Sequence, residues 1–230
     1  MIFLLITIIL FLELKNMLKD NIILGDSNLS EIQEAVRLLN EGEIIGFPTE
    51  TVYGIGGDIF NEEAVNKIFE IKNRQLNLPL SAHLSSISDI EDVAFDVPDE
   101  FFILADKFLP GPLTIILKKK KSIPDSVTSG LKTIGIRVPD NKIIHKLLEE
   151  FGKPLAASSA NLSGKRPALT SEEVITYFPE GISLILDGGR CRYSQESTVI
   201  SLVEFPPLLI REGVIRTGIL EDILKVRFGK

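Results

Sequence analysis

The chain has 230 residues, 44% of them hydrophobic and 25% charged, which allows one large domain with a sizeable core. Its formal charge of −7 argues against a nucleic-acid binder that works through its overall field. A single cysteine, Cys191, excludes an intrachain disulfide, and two well-separated histidines, His83 and His145, make a Cys/His zinc site a poor fit. This usage suits a reducing compartment, so a cytoplasmic protein is the expectation.

Residues 1–12, MIFLLITIILFL, are apolar and then give way to polar ELKNMLKD. A spanning helix needs about 20 apolar residues, and a signal peptide needs a basic start and a small-residue cleavage site. Neither is present. The run reads either as a membrane-associating leader or as residues ahead of a true start at Met17. The second is favoured because all that follows Met17 has the pattern of a soluble domain, so 1–16 is set apart from a single domain over 17–230. Detection of Met1 by N-terminal mass spectrometry of the native protein would exclude it.

Residues 29–41 carry apolar side chains at helical spacing, with Ser30 as the expected N-cap and Gly42 as the stop. EIIGFP is a short buried strand that leads into a loop, PTETVYGIGGD. Asn61 caps a second helix over 61–74, with acids in its first turn and Lys72 and Arg74 in its last. LPLSAHL is a strand, DEFFILADKFL a helix, LTIILKK and TIGIRVP strands, and NKIIHKLLEEFG a helix that ends at Gly152. PLAASSAN reads as strand and turn, SEEVITYF as a short helix, SLILDGG, STVISLV and PLLIRE as strands, and TGILEDILKV as the last helix. Helices and strands alternate at first, then strands follow strands. That order implies an α/β domain with a twisted, mixed parallel and antiparallel sheet flanked by helices.

The motifs are ambiguous one by one. Gly54, Gly56 and Ile59 break the dinucleotide fingerprint G-x-G-x-x-G at its last position, and there is no P-loop. K-x-R at 72–74 reads as a solvated helix end or as a phosphate site. Arg137 sits in an apolar strand, where an unpaired charge is costly, so it needs a partner or a ligand. ASSANLSG offers a turn, or donors for a phosphate or an adenine. His83 reads first as a core histidine and KKKK at 118–121 as a solvated strand end. Two arginines beside Cys191 would lower its pKa, but no base is near in sequence.

In combination these segments resemble the YrdC/Sua5/TsaC family. FPTETVYGIGGD, IFEIKNR, LPLSAHLS, LPGPLTIIL, TIGIRVP, SSANLSG, LDGG, ESTVI and IREGVI follow in that family's order over about residues 22–218. The resemblance implies a deep concave cavity and synthesis of threonylcarbamoyl-AMP and pyrophosphate from L-threonine, bicarbonate or CO2, and ATP with Mg²⁺. It implies partner proteins that pass the threonylcarbamoyl group to adenosine 37 of tRNA, with direct tRNA contact left open and no membrane role. By resemblance, Lys72, Arg74, Ser159 and Asn161 hold the phosphates and the reacting carbamate. Thr133 and Arg211 contact the nucleotide as well. Thr49, His83, Arg137, Ser159 and Ser197 enclose threonine, and Thr51 and Tyr53 line the same loop. Gln75, Leu78, Ser158 and Ala168 depart from the family pattern. The chain is similar to the short, single-domain type. Two rival readings are an RNA-binding module and an adenylating relative that uses another carbamoyl donor.

Overall fold

The computed structural model describes residues 29–75 and 77–229. The apolar run at 1–16 and the alternative start at Met17 lie outside the described residues. In chain order the elements are α1 (Leu29–Asn40), β1 (Ile45–Phe47), β2 (Gly54–Asp58), α2 (Glu62–Ile71), β3 (Ser81–His83), a 3-10 turn (Ile87–Asp89), α3 (Ile90–Val93), α4 (Asp99–Phe108), β4 (Leu113–Lys118) and β5 (Thr133–Arg137). They continue with α5 (Lys142–Phe151), β6 (Leu155–Ser159), α6 (Ser171–Tyr177), β7 (Leu184–Ile185), β8 (Thr198–Ser201), β9 (Leu208–Arg211) and α7 (Thr217–Leu224).

The described strands form one nine-stranded sheet in the order β7-β1-β2-β6-β3-β5-β4-β8-β9. Three neighbouring pairs run parallel, β1 with β7, β3 with β5 and β4 with β8, and the other five run antiparallel. The expected mixed sheet is therefore present. One face of it carries the larger core, where Ile55, Ala82, Ile115, Ile134 and Ile136 meet Val65 and Ile68 of α2, Phe101 and Leu104 of α4 and Leu220 of α7. On the opposite face α1 and α5 cover one end, through Ile32, Ala35, Leu39, Ile144, Leu147 and Leu148 against Phe47, Leu155 and Ala157. The remainder of that second face carries the cavity described below.

Several local expectations change. Ser30 lies inside α1 and is not its cap. Helix α2 stops at Ile71, so Lys72 and Arg74 are not in its last turn. Asn61 does cap it, with Oδ1 accepting from the amides of Glu63 at 3.0 Å and Ala64 at 3.1 Å. The segment SISDIEDV, unassigned from sequence, forms the 3-10 turn and α3.

The glycines of GIGGD are not loop. They form β2, antiparallel to β1 and β6. A Cβ at Gly54 would stand 2.5 Å from the Phe47 ring, and one at Gly56 2.7 Å from the carbonyl oxygen of Ala156. These glycines admit close sheet packing, and Gly54 also borders the cavity described below. Gly56→Ala is expected to cost about 1–3 kcal/mol, because a backbone oxygen cannot give way. Gly218→Ala, with nothing within 4 Å of the new methyl in α7, is expected to be neutral or slightly stabilising. Urea denaturation of the two variants checks both, and equal stability would contradict the packing reading.

Candidate active site

The cavity is one face of the sheet. Side chains alternate across a strand, so residues two apart share a face. Ala157 and Ser159 on β6, Ser81 and His83 on β3, Thr133, Gly135 and Arg137 on β5, Thr114 and Ile116 on β4, and Ser197 and Val199 at β8 all border a hollow of about 550 Å³. Thr49, Tyr53, Arg74, Asn161, Glu196 and Arg211 close its rim, together with the exposed apolar side chains Leu78, Leu131 and Ile210. Ten of the residues expected from sequence thus converge: Thr49, Tyr53, Arg74, His83, Thr133, Arg137, Ser159, Asn161, Ser197 and Arg211. Lys72 and Thr51 stand behind the wall. A larger open hollow of about 910 Å³ borders Glu50, Asp140 and residues 187–192, and among the expected residues it gathers Thr49 alone.

The K-x-R segment is a helix terminus of defined geometry. Asn73 is left-handed, with φ 47°, as asparagine tolerates. Its amide donates to Glu70 O at 3.0 Å and that of Arg74 to Phe69 O at 2.9 Å, the bond pair of a Schellman cap. The reversal sends the two cations apart. Arg74 reaches the cavity while its Nε and Nη2 donate to the carbonyls of Leu78 and Pro79 at 2.9 and 3.0 Å. Lys72 turns inward and is 1% exposed. Its Nζ donates to the carbonyls of Ser159 and Asn161, the latter at 2.7 Å, and reaches Asn161 Oδ1 at 3.4 Å. Burial pushes Lys72 down to about 7, with Arg74 adding to the shift and Glu196 opposing it. Three oxygens around Nζ use all three protons of an ammonium. In this arrangement Lys72 shapes the S-x-N turn and does not border the cavity.

Ser159 and Asn161 form a pair. The Ser159 hydroxyl donates to Asn161 Oδ1 at 2.6 Å, and Asn161 Nδ2 donates to the carbonyls of Leu162 and Lys165 at 3.0 and 2.8 Å. Ala168, one of the departures from the family pattern, pins this turn through its backbone. Its amide donates to Ala160 O and its carbonyl accepts from Tyr53 N, both at 2.9 Å.

The PTET loop spends its hydroxyls on itself. Arg137 Nη2 donates to Thr51 Oγ1 at 2.7 Å, and Thr51 lies 2.8 Å from Thr49 Oγ1, which donates to Val52 O at 2.6 Å. Each hydroxyl has one proton, so the chain runs from Arg137 through Thr51 to Thr49. The protons of both hydroxyls are thereby committed within the loop, while Thr49 still borders the cavity. Glu50, to which sequence reasoning gave no role, is the counter-ion that Arg137 requires: Oε1 accepts from Nη2 at 2.8 Å, and both side chains are nearly excluded from solvent. Their strands of sequence lie 87 residues apart, so no local signal joins them. Breaking such a buried pair costs roughly 3–5 kcal/mol.

His83 Nδ1 is buried without a partner among the described residues, and its ring meets Phe47 edge-on at 5.8 Å. Burial, helped by Arg137, lowers it to about 3 and keeps the imidazole neutral. Ser197 is buried and shares a 2.9 Å hydrogen bond with Thr114. Arg211 donates to Glu196 at 2.6 Å and to Ser197 O at 3.2 Å. Two expectations change here. Burial raises Cys191 to about 11, outweighing the nearby arginines. Lys119 of the KKKK run is buried, with Nζ bonded to Ile123 O and Asp125, and is not a solvated strand end.

The chain is similar in sequence and fold to known proteins. The family model for Sua5, YciO and YrdC, described as telomere recombination, matches residues 37–213. The chain belongs to the Sua5/YciO/YrdC family. Threonylcarbamoyl-AMP synthase of Pyrococcus abyssi is 43% identical over 196 residues, 85% of this chain and 57% of that protein. The putative threonylcarbamoyl-AMP synthase of Methanocaldococcus jannaschii is 44% identical over 174 residues, 76% of this chain and 81% of its own length. The crystal structure of P. abyssi Sua5 complexed with L-threonine superposes with a TM-score of 0.86 at 38% identity, covering 91% of this chain and 62% of that one. E. coli YciO gives a TM-score of 0.76 at 28% identity, covering 86% and 96%. The chain spans less than two thirds of the length of the P. abyssi relative.

The neutral, buried His83 makes stability depend on acid. Its pKa is near 3 when folded and 6.5 unfolded, so its contribution is complete above 6.5 and is lost as pH falls towards 3. His83→Gln is expected to lose less stability than the wild type between pH 7 and pH 4. Parallel thermal melts at the two pH values test this, and identical pH dependence would contradict it.

Proposed function

We propose that this chain makes threonylcarbamoyl-AMP and pyrophosphate from L-threonine, bicarbonate or CO2, and ATP. The observation that carries the reading is the convergence of Arg74, His83, Arg137, Ser159, Asn161, Ser197 and Arg211 on one cavity. The L-threonine complex of the P. abyssi relative supports the choice of amino acid.

The amine of threonine adds to CO2, losing a proton, to give a carbamate. A carbamate oxygen then bonds to the α-phosphorus of ATP as the bond to pyrophosphate breaks. No covalent nucleophile is needed; the chain must align two anions and stabilise phosphoryl charge. Arg74 and Arg211 supply positive charge to the phosphates, and the Ser159–Asn161 turn supplies fixed hydrogen-bonding groups at the carbamate. Arg137 receives the threonine carboxylate. Because Nε donates to Gly111 O and both protons of Nη2 go to Glu50 and Thr51, Nη1 is the end left to receive it. His83 Nδ1 has capacity for the threonine hydroxyl. A recessed cavity also shields the carbamate from water.

Glu196 is the one carboxylate bordering the cavity among the described residues, and it is paired with Arg211. No cluster of three or more metal-ligating side chains occurs among them. Mg²⁺ would be carried on the ATP phosphates, and Glu196 is the side chain that could offer it a carboxylate oxygen from the cavity wall. Bound there, the ion would neutralise phosphate charge. The adenylate is then consumed by partner proteins that modify adenosine 37 of tRNA in the cytoplasm. Among the described residues no helix is long and apolar enough to cross a membrane.

Pyrophosphate release by the full chain with ATP, Mg²⁺ and bicarbonate is expected only when L-threonine is added. Arg74→Ala, and Lys72→Ala through collapse of the S-x-N turn, are expected to lower turnover by about 10²-fold or more. Threonine-independent release, or full activity in both folded variants, would refute the reading.

A further inference from the structure

We propose that Glu50 is the positioning residue of this site: it fixes the plane of the Arg137 guanidinium so that its Nη1 end faces the cavity. The proposal rests on the reading above that Arg137 receives the carboxylate of L-threonine.

Glu50 does not border the substrate cavity. It lies behind Arg137, with its side chain 1% exposed, and both of its oxygens are engaged. Oε1 accepts from Arg137 Nη2 at 2.8 Å, and Oε2 accepts from the amide of Asp140 at 3.1 Å, at the entry to α5. The backbone carbonyl of Glu50 accepts from the amide of Tyr193 at 2.8 Å. Apart from the arginine, one bond holds the carboxylate itself, from the Asp140 amide, and the Tyr193 bond fixes the backbone that carries it. On the guanidinium, Nη2 also donates to Thr51 and Nε to Gly111 O, whereas Nη1 donates to none of the described residues. The committed edge faces the PTET loop. Arg137 itself borders the cavity, and Nη1 is the donor left for a ligand.

This places an incoming carboxylate opposite Glu50, with the guanidinium between two anions. The arrangement has two opposite electrostatic and geometric consequences. As a mere counter-charge, Glu50 repels the ligand, and its neutralisation would tighten threonine binding. As a positioning group, it prevents the buried cation from rotating to other carbonyls, and its loss would weaken binding. A neutral amide cannot reproduce both bonds without also presenting its NH2 to a donor, either Arg137 or the amide of Asp140. The geometry favours the second consequence.

The test is titration calorimetry of L-threonine and, separately, of ATP with Mg²⁺, on the full chain and on Glu50→Gln. Glu50→Gln is expected to weaken threonine by about tenfold, within the range of couplings inside one hydrogen-bonded network. ATP affinity is expected to stay within about twofold, which general structural damage would not permit. Wild-type binding with unchanged or tighter threonine affinity in the variant overturns the role of Glu50 alone, as does an equal loss for ATP. Failure of the wild type to bind threonine overturns the reading of Arg137 and the role of Glu50 with it. If Glu50→Gln does not melt cooperatively, Glu50→Asp replaces it. That variant keeps the charge but withdraws it by one methylene, so weakened threonine binding is again expected, and unchanged binding overturns the proposal.

Discussion

A charged guanidinium inside an apolar strand must be answered, and the way Arg137 is answered organises the rest of this molecule. Its charge has too little water to solvate it, so leaving it unpaired would cost several kcal/mol. Glu50 supplies the charge, Thr51 and Gly111 the remaining acceptors. These groups come from two places. Glu50 and Thr51 lie in the turn between β1 and β2, and Gly111 lies just before β4. The pair thus ties the hairpin at one end of the sheet to strands near its middle, and it seats the PTET loop at the mouth of the cavity.

The cavity follows from the same sheet. Its floor is made by alternate residues of β6, β3, β5, β4 and the chain entering β8, while the intervening residues fill the larger core. Small residues on the floor give it depth: Ala157, Gly135, Ser81 and Ser159 take the places where larger side chains would fill it. Helices α1 and α5 cover only the end of this face, against Phe47, Leu155 and Ala157. What remains open combines apolar wall with three arginines, Arg74, Arg137 and Arg211, against the single carboxylate of Glu196 among the described residues. A surface of that kind suits anionic ligands more than an apolar partner, and its apolar rim at Leu78, Leu131 and Ile210 offers a platform for a flat ring.

The two signature segments do different work from what their composition suggests. The glycines of GIGGD are strand residues whose missing side chains let Phe47 and the Ala156 carbonyl pack closely. The K-x-R segment is a helix cap whose left-handed Asn73 turns one cation into the protein and the other towards the cavity. Lys72 then acts on the S-x-N turn from behind. Motif residues that sit together in sequence here divide between holding the site and lining it.

The sequence by itself determined much of this. Helix patterns, the Asn61 cap and the stop at Gly152 follow from spacing and backbone preference, which are local. So does the mixed sheet, from the order of elements. The segments that carry the family resemblance also located ten residues of one cavity, because they occur in a fixed order along the chain. What only the tertiary structure decided are the partners. Glu50 and Arg137 meet across 87 positions, Lys72 reaches carbonyls 87 and 89 residues away, and burial sets the protonation of His83 and Cys191. A hydrogen bond between distant strands leaves no periodicity in the sequence, and desolvation depends on what the whole fold places around a group. That is why residue types could be read from the chain while their pairing, orientation and charge state required the folded protein.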